Sequence, residues 1–165
     1  GMISLESIRG KGSIVYIDLP AHTKEVIVDS PRTEDVSTRR HGRILLLDDE
    51  EMVLEIGKEV MEYLGYSVTT VLNGDEALAL YGQSLQLKKP FDVVILDLAI
   101  PGGMGGKEVI RELKRLDPNV KAIISSGYLT DPIVENYREY GFMGALTKPY
   151  DSVELDDKLQ KIIKG

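Results

Sequence analysis

The chain has 165 residues, of which 42% are hydrophobic, so it can bury one core of ordinary size and carry an appendage. Its apolar runs fall well short of the ~20 residues that cross a bilayer, and no secretory signal opens the sequence. Cysteine is absent, which excludes disulfides and thiolate metal sites. We therefore expect a cytoplasmic protein that makes no membrane contact.

The net charge of −7 is distributed unevenly along the chain. Up to Arg43, Lys and Arg outnumber Asp and Glu by one, and beyond Arg43 the balance is −8. An acidic globular part repels the phosphate backbone of nucleic acids and attracts cations or basic partner surfaces. The charge pattern therefore predicts a partner other than nucleic acid.

The first forty residues contain one segment with a strand pattern. Residues 13–19 are rich in β-branched and aromatic side chains, and Pro20 ends the run. The segment Gly10-Lys-Gly12 is predicted to form a β-turn rather than a phosphate-binding loop, because no strand is predicted before it and no helix after it. Residues 22–42 lack periodicity, which predicts a linker between a segment over 1–21 and a domain over 43–165.

Strand and helix patterns alternate from Arg43 onward. Short apolar runs predict strands over 44–47, 67–71, 93–96, 120–124 and 145–146. Helical spacing and capping residues predict helices over 52–64, from 73, over 107–116, from 132 to about 141, and from 151. In the first helix, the stripe predicted to face the core consists of Val53, Ile56, Val60 and Leu64. Five strand–helix units predict a doubly wound α/β fold, with five parallel strands and helices on both faces.

Polar side chains follow the strands at their carboxyl ends, where doubly wound sheets bind their ligands. These side chains are Asp48 and Asp49 after the first strand, Asp97 after the third, Ser125 and Ser126 after the fourth, and Lys148 after the fifth. Three close carboxylates repel one another unless a cation lies among them, and Mg²⁺ prefers such oxygen ligands. Mg²⁺ also neutralises charge on a transferring phosphoryl group, whose remaining oxygens an ammonium and a hydroxyl could hold. The set therefore predicts phosphoryl transfer to a carboxylate.

Each of these residues taken alone has an ordinary structural role. An Asp after a strand is most often a turn residue or a helix cap, and a Lys-Pro pair is most often part of a loop. The functional interpretation depends on their joint occurrence at the ends of different parallel strands, which meet at one edge of the sheet.

Four segments together resemble the response-regulator receiver family of two-component signalling. They are residues 44–50 (ILLLDDE), 91–101 (FDVVILDLAIP), 122–127 (AIISSG) and 146–149 (LTKP). The resemblance covers the chain from residue 43 to its end. It implies a flavodoxin-like sheet with strand order 2-1-3-4-5. It also implies that a histidine kinase or a histidine phosphotransfer domain donates the phosphoryl group.

The resemblance assigns roles to individual positions. It implies that Asp97 is phosphorylated, and that Ser126 and Lys148 bind the phosphoryl group, act in catalysis and respond to phosphorylation as switch residues. The implied ligands of Mg²⁺, or alternatively of Mn²⁺, are Asp48, Asp49, Asp97 and the main-chain carbonyl of Ala99. The peptide bond before Pro149 is expected to be cis, as is common at this place in the family.

Two positions depart from the family pattern. The loop over residues 101–106 (PGGMGG) is one residue longer than usual and rich in glycine, which predicts a flexible loop beside the site. Ala145 occupies the place of the family's switch aromatic, so coupling through that aromatic is in doubt. Tyr128 and Phe142 are nearby aromatics that we interpret as packing residues.

Residues 10–21 (GKGSIVYIDLPA) resemble the last strand of a histidine-kinase ATP-binding domain. This resemblance implies that residues 1–21 are a remnant of such a domain and that the receiver belongs to a hybrid sensor histidine kinase. An isolated strand leaves backbone groups unpaired, so we expect residues 13–19 to pair with the receiver or with a second copy of the chain, as in a homodimer.

Two other functions are compatible with the sequence. The first is a phosphatase or phosphotransferase with an aspartyl nucleophile, although such enzymes usually carry a second Asp two residues later, where this chain has Ala99. The second is a pseudo-receiver that only docks partners. The complete set of acidic, hydroxyl and lysine residues argues against it, and failure to bind Mg²⁺ would favour it.

Overall fold

The structure, a computed structural model, describes residues 1–10, 12–18, 42–127 and 132–165. The chain forms two compact units, Gly1–Val36 and Ser37–Gly165. Most of the predicted linker and two other predictions, the packing role of Tyr128 and the helix cap at Asp131, lie outside the described residues.

The first unit contains an antiparallel hairpin of β1 (Met2–Ile8) and β2 (Gly12–Asp18). Gly10 and Gly12 have φ values of 80° and 103°, which only glycine adopts readily, so the predicted turn is confirmed. The expectation that no strand precedes Gly10 is wrong, because β1 precedes it and pairs with β2. The expectation that residues 13–19 pair with the receiver or with a second copy stays a prediction. The alternation of apolar and polar residues over Ile3-Ser4-Leu5-Glu6 is the signal that points to this strand.

The second unit is a five-stranded parallel sheet flanked by helices. Its strands are β3 (Arg43–Leu47), β4 (Ser67–Val71), β5 (Val93–Asp97), β6 (Ala122–Ser126) and β7 (Gly144–Thr147). Its helices are α1 (Glu51–Tyr63), α2 (Gly74–Gln86), α3 (Gly106–Leu116), α4 (Pro132–Glu135) and α5 (Ser152–Lys164). The sheet order β4-β3-β5-β6-β7 is the predicted order 2-1-3-4-5, counted from β3. The doubly wound fold is therefore confirmed.

Alternating residues of the central strands pack on opposite faces of the sheet. Leu45, Leu47, Val94 and Leu96 belong to the core shared with α2 and α3, and Ile44, Leu46, Val93 and Ile95 belong to the core shared with α1 and α5. Both faces are covered, which explains why these strands are continuously apolar rather than alternating. The two cores fix the carboxyl ends of the strands at one edge.

The buried face of α1 differs from the predicted stripe. Leu54, Gly57 and Met61 are buried, Val60 and Leu64 of the predicted stripe are half-buried against the same core, and Ile56 is 52% exposed. Both sets have helical spacing, so periodicity alone cannot choose between them. Gly57 decides the orientation, since a Cβ there would lie only 3.0 Å from side-chain atoms of Leu46 and Tyr150.

Two further predicted boundaries are wrong. Strand β6 begins at Ala122 rather than at residue 120, because Asp117 accepts hydrogen bonds from the amides of Asn119 and Val120 and holds them in a turn. The helix expected over 132–141 ends at Glu135, and the chain continues to Gly141 through turns with three-residue hydrogen-bond spacing.

A part-buried hydrogen bond links α2 to the loop after α3. The Tyr81 hydroxyl, on a side chain that is almost fully buried, donates to Asp117 Oδ2 over 2.8 Å. Because the acceptor is charged, we expect Tyr81→Phe to lower the free energy of unfolding by about 1.5–3 kcal/mol, measured by urea denaturation.

The stability that Tyr81→Phe loses should depend on pH, and the pKa of Tyr81 determines in which direction. Burial first, then the hydrogen bond and charge of Asp117, raise the pKa of Tyr81 above its usual value. Tyrosine in the unfolded chain ionises near ~10, so the folded state holds more protons above that pH and the contribution of Tyr81 is lost as pH rises. The difference between wild type and Tyr81→Phe should therefore shrink between about pH 8 and about pH 11. A difference that grows would contradict the assignment.

Candidate functional site

The predicted polar residues meet at the carboxyl edge of the sheet. Asp48 and Asp49 follow β3, Asp97 and Ser126 are the last residues of β5 and β6, and Lys148 follows β7. Strands β3 and β6 flank β5, so the side chains from both neighbours converge on Asp97. The fold thus brings together residues that are up to a hundred positions apart in the sequence.

The three aspartates form a tight acidic cluster. One carboxylate oxygen from each of Asp48, Asp49 and Asp97 lies within 4.8 Å of the others. Asp48 is fully buried and Asp97 is 6% exposed, whereas Asp49 is exposed. The cluster therefore has a buried floor and one solvent-facing ligand, which leaves a route for an ion to enter.

Lys148 lies against the buried floor of this cluster. Its ammonium is 2.7 Å from Asp97 Oδ1 and forms a second ion pair with Asp48 Oδ2. Burial alone would lower the pKa of Lys148, but the hydrogen bonds and charges of Asp48 and Asp97 outweigh it and raise the pKa. Lys148 is therefore fully protonated at neutral pH and partly compensates the two buried carboxylates.

Opposing influences act on the Asp97 carboxyl. Burial raises its pKa and the charge of Asp48 adds to that rise, while Lys148 and a main-chain hydrogen bond from Ala99 lower it. The net direction is upward because burial outweighs the contacts that favour the ionised form. A bound cation would reverse that balance and favour the ionised form.

A pocket of about 430 Å³ opens above the cluster. Asp49, Asp97, Ala99, Ser126 and Lys148 line it, so every residue predicted to handle the phosphoryl group except Asp48 is at its surface. Glu50, Leu98, Pro101 and Gly127 complete the wall. The volume is sufficient for a phosphoryl group together with a hydrated ion, since one water occupies ≈ 30 Å³ of liquid.

The donor set suits a hard divalent cation. Two oxygens on opposite sides of a Mg²⁺ at ~2.1 Å are ~4.2 Å apart. The aspartate oxygens lie within 4.8 Å of one another, so small side-chain movements would bring them to ligand distance of one ion. Asp48 Oδ2 is fully buried, and the Lys148 ammonium is its ion-pair partner. Three carboxylates with a single ammonium leave an excess of negative charge, which fits a cation of this class.

Sequence reasoning missed two features of the site. Gly106 allows α3 to approach β5, since a Cβ there would lie 2.8 Å from the Asp97 carbonyl oxygen. Tyr150 lies behind the pocket, and its hydroxyl is 3.0 Å from Ser125 Oγ. An aromatic directly after Lys-Pro is visible in the sequence, but its partner is apparent only from the sheet. The Lys148–Pro149 bond is cis, the form expected there.

Comparison with known proteins agrees with this geometry. Residues 44–160 match the family model described as the response regulator receiver domain. The chain is 31% identical over 121 residues to sporulation initiation phosphotransferase F of Bacillus subtilis, covering 73% of this chain and 93% of that protein. A crystal structure of a response regulator receiver domain protein from Clostridium thermocellum superposes with a TM-score of 0.66 at 27% identity, covering 74% of this chain and 94% of that one.

A longer similarity includes the N-terminal unit. The chain is 28% identical over 172 residues to sensor kinase CckA of Brucella abortus, and the match covers 99% of this chain but only 18% of that protein. The chain thus corresponds to less than a fifth of this relative's length.

The fold and the acidic edge define a phosphoacceptor domain of the two-component type. The chain belongs to the family of response regulator receiver domains. Domains of this family receive phosphoryl groups from histidine-containing kinase or phosphotransfer partners. None of the helices in the described ranges, 42–127 and 132–165, has the length and apolarity to span a membrane.

Proposed function

We propose that Asp97 is the phosphoacceptor and that it takes a phosphoryl group from a phosphohistidine in a Mg²⁺-dependent reaction. The observation that supports this most directly is the acidic cluster, with carboxylate oxygens within 4.8 Å and the Lys148 ammonium 2.7 Å from Asp97. Asp48, Asp49, Asp97 and the main-chain carbonyl of Ala99 would hold the Mg²⁺, with Mn²⁺ as an alternative ion.

The transfer conserves atoms and charge in a single displacement. A carboxylate oxygen of Asp97 forms a bond to phosphorus while the bond between phosphorus and the donor's imidazole nitrogen breaks, and the electron pair stays on that nitrogen. A cation held by Asp48, Asp49 and Asp97 would neutralise charge on the phosphoryl oxygens. Lys148, already in the pocket, contacts a second oxygen, and the Ser126 hydroxyl contacts a third. The product is an acyl phosphate on Asp97.

The donor has to cover the pocket, and the surface beside it is apolar. A groove of about 350 Å³ shares Glu50, Gly127 and Lys148 with the pocket and is otherwise lined by Val53, Ile56, Pro149 and Tyr150. A histidine kinase or histidine phosphotransfer domain that presents its phosphohistidine to Asp97 would rest on this groove. We propose such a domain as the partner, because the groove is continuous with the acceptor pocket and one protein can contact both.

The hairpin supports an origin within a hybrid kinase. Its register places Ile3 opposite Ile17 and Leu5 opposite Val15, so four apolar side chains share one face, and all of them are exposed. A two-stranded hairpin is barely stable alone and needs a covering layer. The similarity to a sensor kinase extends across this unit. We propose that residues 1–21 are the end of a kinase ATP-binding domain that covers this face.

The alternative enzyme has weaker support from the site. A phosphatase with an aspartyl nucleophile usually has an acid or base two residues after it, and Ala99 provides neither. The pseudo-receiver alternative conflicts with a pocket in which the acceptor, the ion ligands and the lysine are all present. Neither alternative accounts for the complete set of residues.

Incubation with acetyl phosphate tests the proposal without knowledge of the natural donor. With Mg²⁺ present, we expect one phosphoryl adduct by intact-protein mass spectrometry, and none after chelation with EDTA. Hydroxylamine should remove the adduct, because it cleaves acyl phosphates and leaves phosphoserine intact. The absence of any adduct, or one that resists hydroxylamine, would overturn the proposal.

A further inference from the structure

Tyr150 lies between the acceptor pocket and helix α1. Its ring occupies space that exists because residue 57 is glycine: a Cβ at Gly57 would lie 3.0 Å from Tyr150 Cε2. Its hydroxyl is 3.0 Å from Ser125 Oγ. Burial raises the pKa of Tyr150 to about 12, although the hydrogen bond with Ser125 acts in the opposite direction. The hydroxyl is therefore protonated at neutral pH and remains able to donate.

Ser125 connects this hydroxyl to the backbone of the acceptor strand. Ser125 is fully buried and is paired in register with Asp97, and its carbonyl accepts a hydrogen bond of 2.9 Å from the Leu98 amide. The carbonyl of the next residue, Ser126, accepts a hydrogen bond of 2.9 Å from the Lys148 amide. Main-chain hydrogen bonds therefore link the Tyr150–Ser125 pair to the residue after Asp97 and, through Ser126, to Lys148.

Phosphorylation has to disturb this arrangement. The Lys148 ammonium contacts both Asp48 and Asp97, and a phosphoryl group on Asp97 replaces one of those carboxylate contacts with phosphoryl oxygens. Only Pro149, whose ring fixes φ, separates Lys148 from Tyr150. Because the lysine side chain is flexible, this short link alone does not fix the Tyr150 ring, and the hydrogen bond between Tyr150 and Ser125 is what ties the ring to the acceptor strand.

The Tyr150 ring is also a wall of the apolar groove, where Val53 and Ile56 of α1 lie. We propose that Tyr150 is a positioning residue that couples the state of Asp97 to this groove through its hydrogen bond with Ser125. The proposal rests on the proposed function of Asp97.

The test follows amide NMR signals of the full chain when acetyl phosphate and Mg²⁺ are added. In wild type, the amides of Val53 and Ile56 should shift on phosphorylation, together with those of Ser126 and Lys148. In Tyr150→Phe, which keeps the ring, the adduct should still form and the signals of Ser126 and Lys148 should still shift. The shifts of Val53 and Ile56 should fall at least about twofold, because the coupling is lost.

Two variants separate coupling from general damage. Ser125→Ala removes the same hydrogen bond from the other side, so it should reproduce the effect, and the double variant should show no further loss. Tyr63→Phe, at a tyrosine on α1 that is 83% exposed, should behave as wild type.

Equal shifts of Val53 and Ile56 in wild type, Tyr150→Phe and Ser125→Ala would overturn the coupling. So would a wild type that becomes phosphorylated without any shift at Val53 and Ile56. A wild type that takes up no phosphoryl group by mass spectrometry would instead remove the proposed function itself, and the coupling with it.

Discussion

Replacing Asp97 by Asn will abolish phosphorylation by acetyl phosphate, with a fall in rate of at least about 10³-fold, as is usual when a reacting group is removed. The amide has the shape of the carboxylate but is not a nucleophile of comparable strength, and it cannot form an acyl phosphate. The measurement is the fraction of phosphorylated chain by intact mass after a fixed incubation with Mg²⁺.

The Asp97→Asn variant should remain folded. Asp48 still pairs with the Lys148 ammonium, and removal of one buried charge relieves repulsion within the cluster. Asp157→Asn is the matched control, because it replaces an aspartate by asparagine at an exposed position of α5. The control should be phosphorylated like wild type. An adduct of undiminished yield in Asp97→Asn would place the acceptor elsewhere.

The second large effect is expected for Asp49→Asn, which should weaken Mg²⁺ binding at least about tenfold, because a charged ligand of the ion becomes neutral. Asp49 is the exposed member of the cluster, so its loss leaves the buried Asp48, Asp97 and Lys148 arrangement in place. Without Mg²⁺ the variant should unfold at the wild-type temperature or slightly above it, because one like charge has been removed.

Because Mg²⁺ is expected to bind only the folded state, a difference in Mg²⁺ affinity appears as a difference in the free energy of unfolding. At a Mg²⁺ concentration about 100 times the wild-type dissociation constant, wild type gains about 2.7 kcal/mol, and a tenfold weaker site gains about 1.4 kcal/mol. Thermal unfolding with and without Mg²⁺ compares these gains, and Asp157→Asn again serves as the control. A Mg²⁺-dependent gain in Asp49→Asn equal to that of wild type would remove Asp49 from the ion site.

Periodicity and strand ends were sufficient to predict the second unit. The short apolar runs form strands that are buried on both faces. A parallel sheet with helices on both sides is the arrangement that buries such strands. The orientation of α1 was not predictable in the same way, because Val53 and Leu54 begin equally good helical stripes. The close contact at Gly57 selects the second stripe, and such a contact exists only after the helix has packed.

The site residues were predictable because each follows a strand, but their distances were not. Parallel strands end at one edge, which is why Asp48 and Asp97 could be grouped from sequence. The ion pair between Lys148 and Asp48 depends on the position of the loop after β7, and the hydrogen bond of Tyr150 depends on the register of β6. Both are tertiary contacts without a local sequence signal.

The central claim is that the phosphoryl group is carried by the carboxyl of Asp97 as an acyl phosphate. Borohydride reduces an aspartyl phosphate to homoserine and leaves free aspartate unchanged, so the modified position can be found by peptide mass mapping after phosphorylation with acetyl phosphate and Mg²⁺. We predict homoserine at position 97 and unmodified aspartate at positions 48 and 49. Homoserine at either of those two positions, or at none in a chain shown to carry phosphate, would contradict the account.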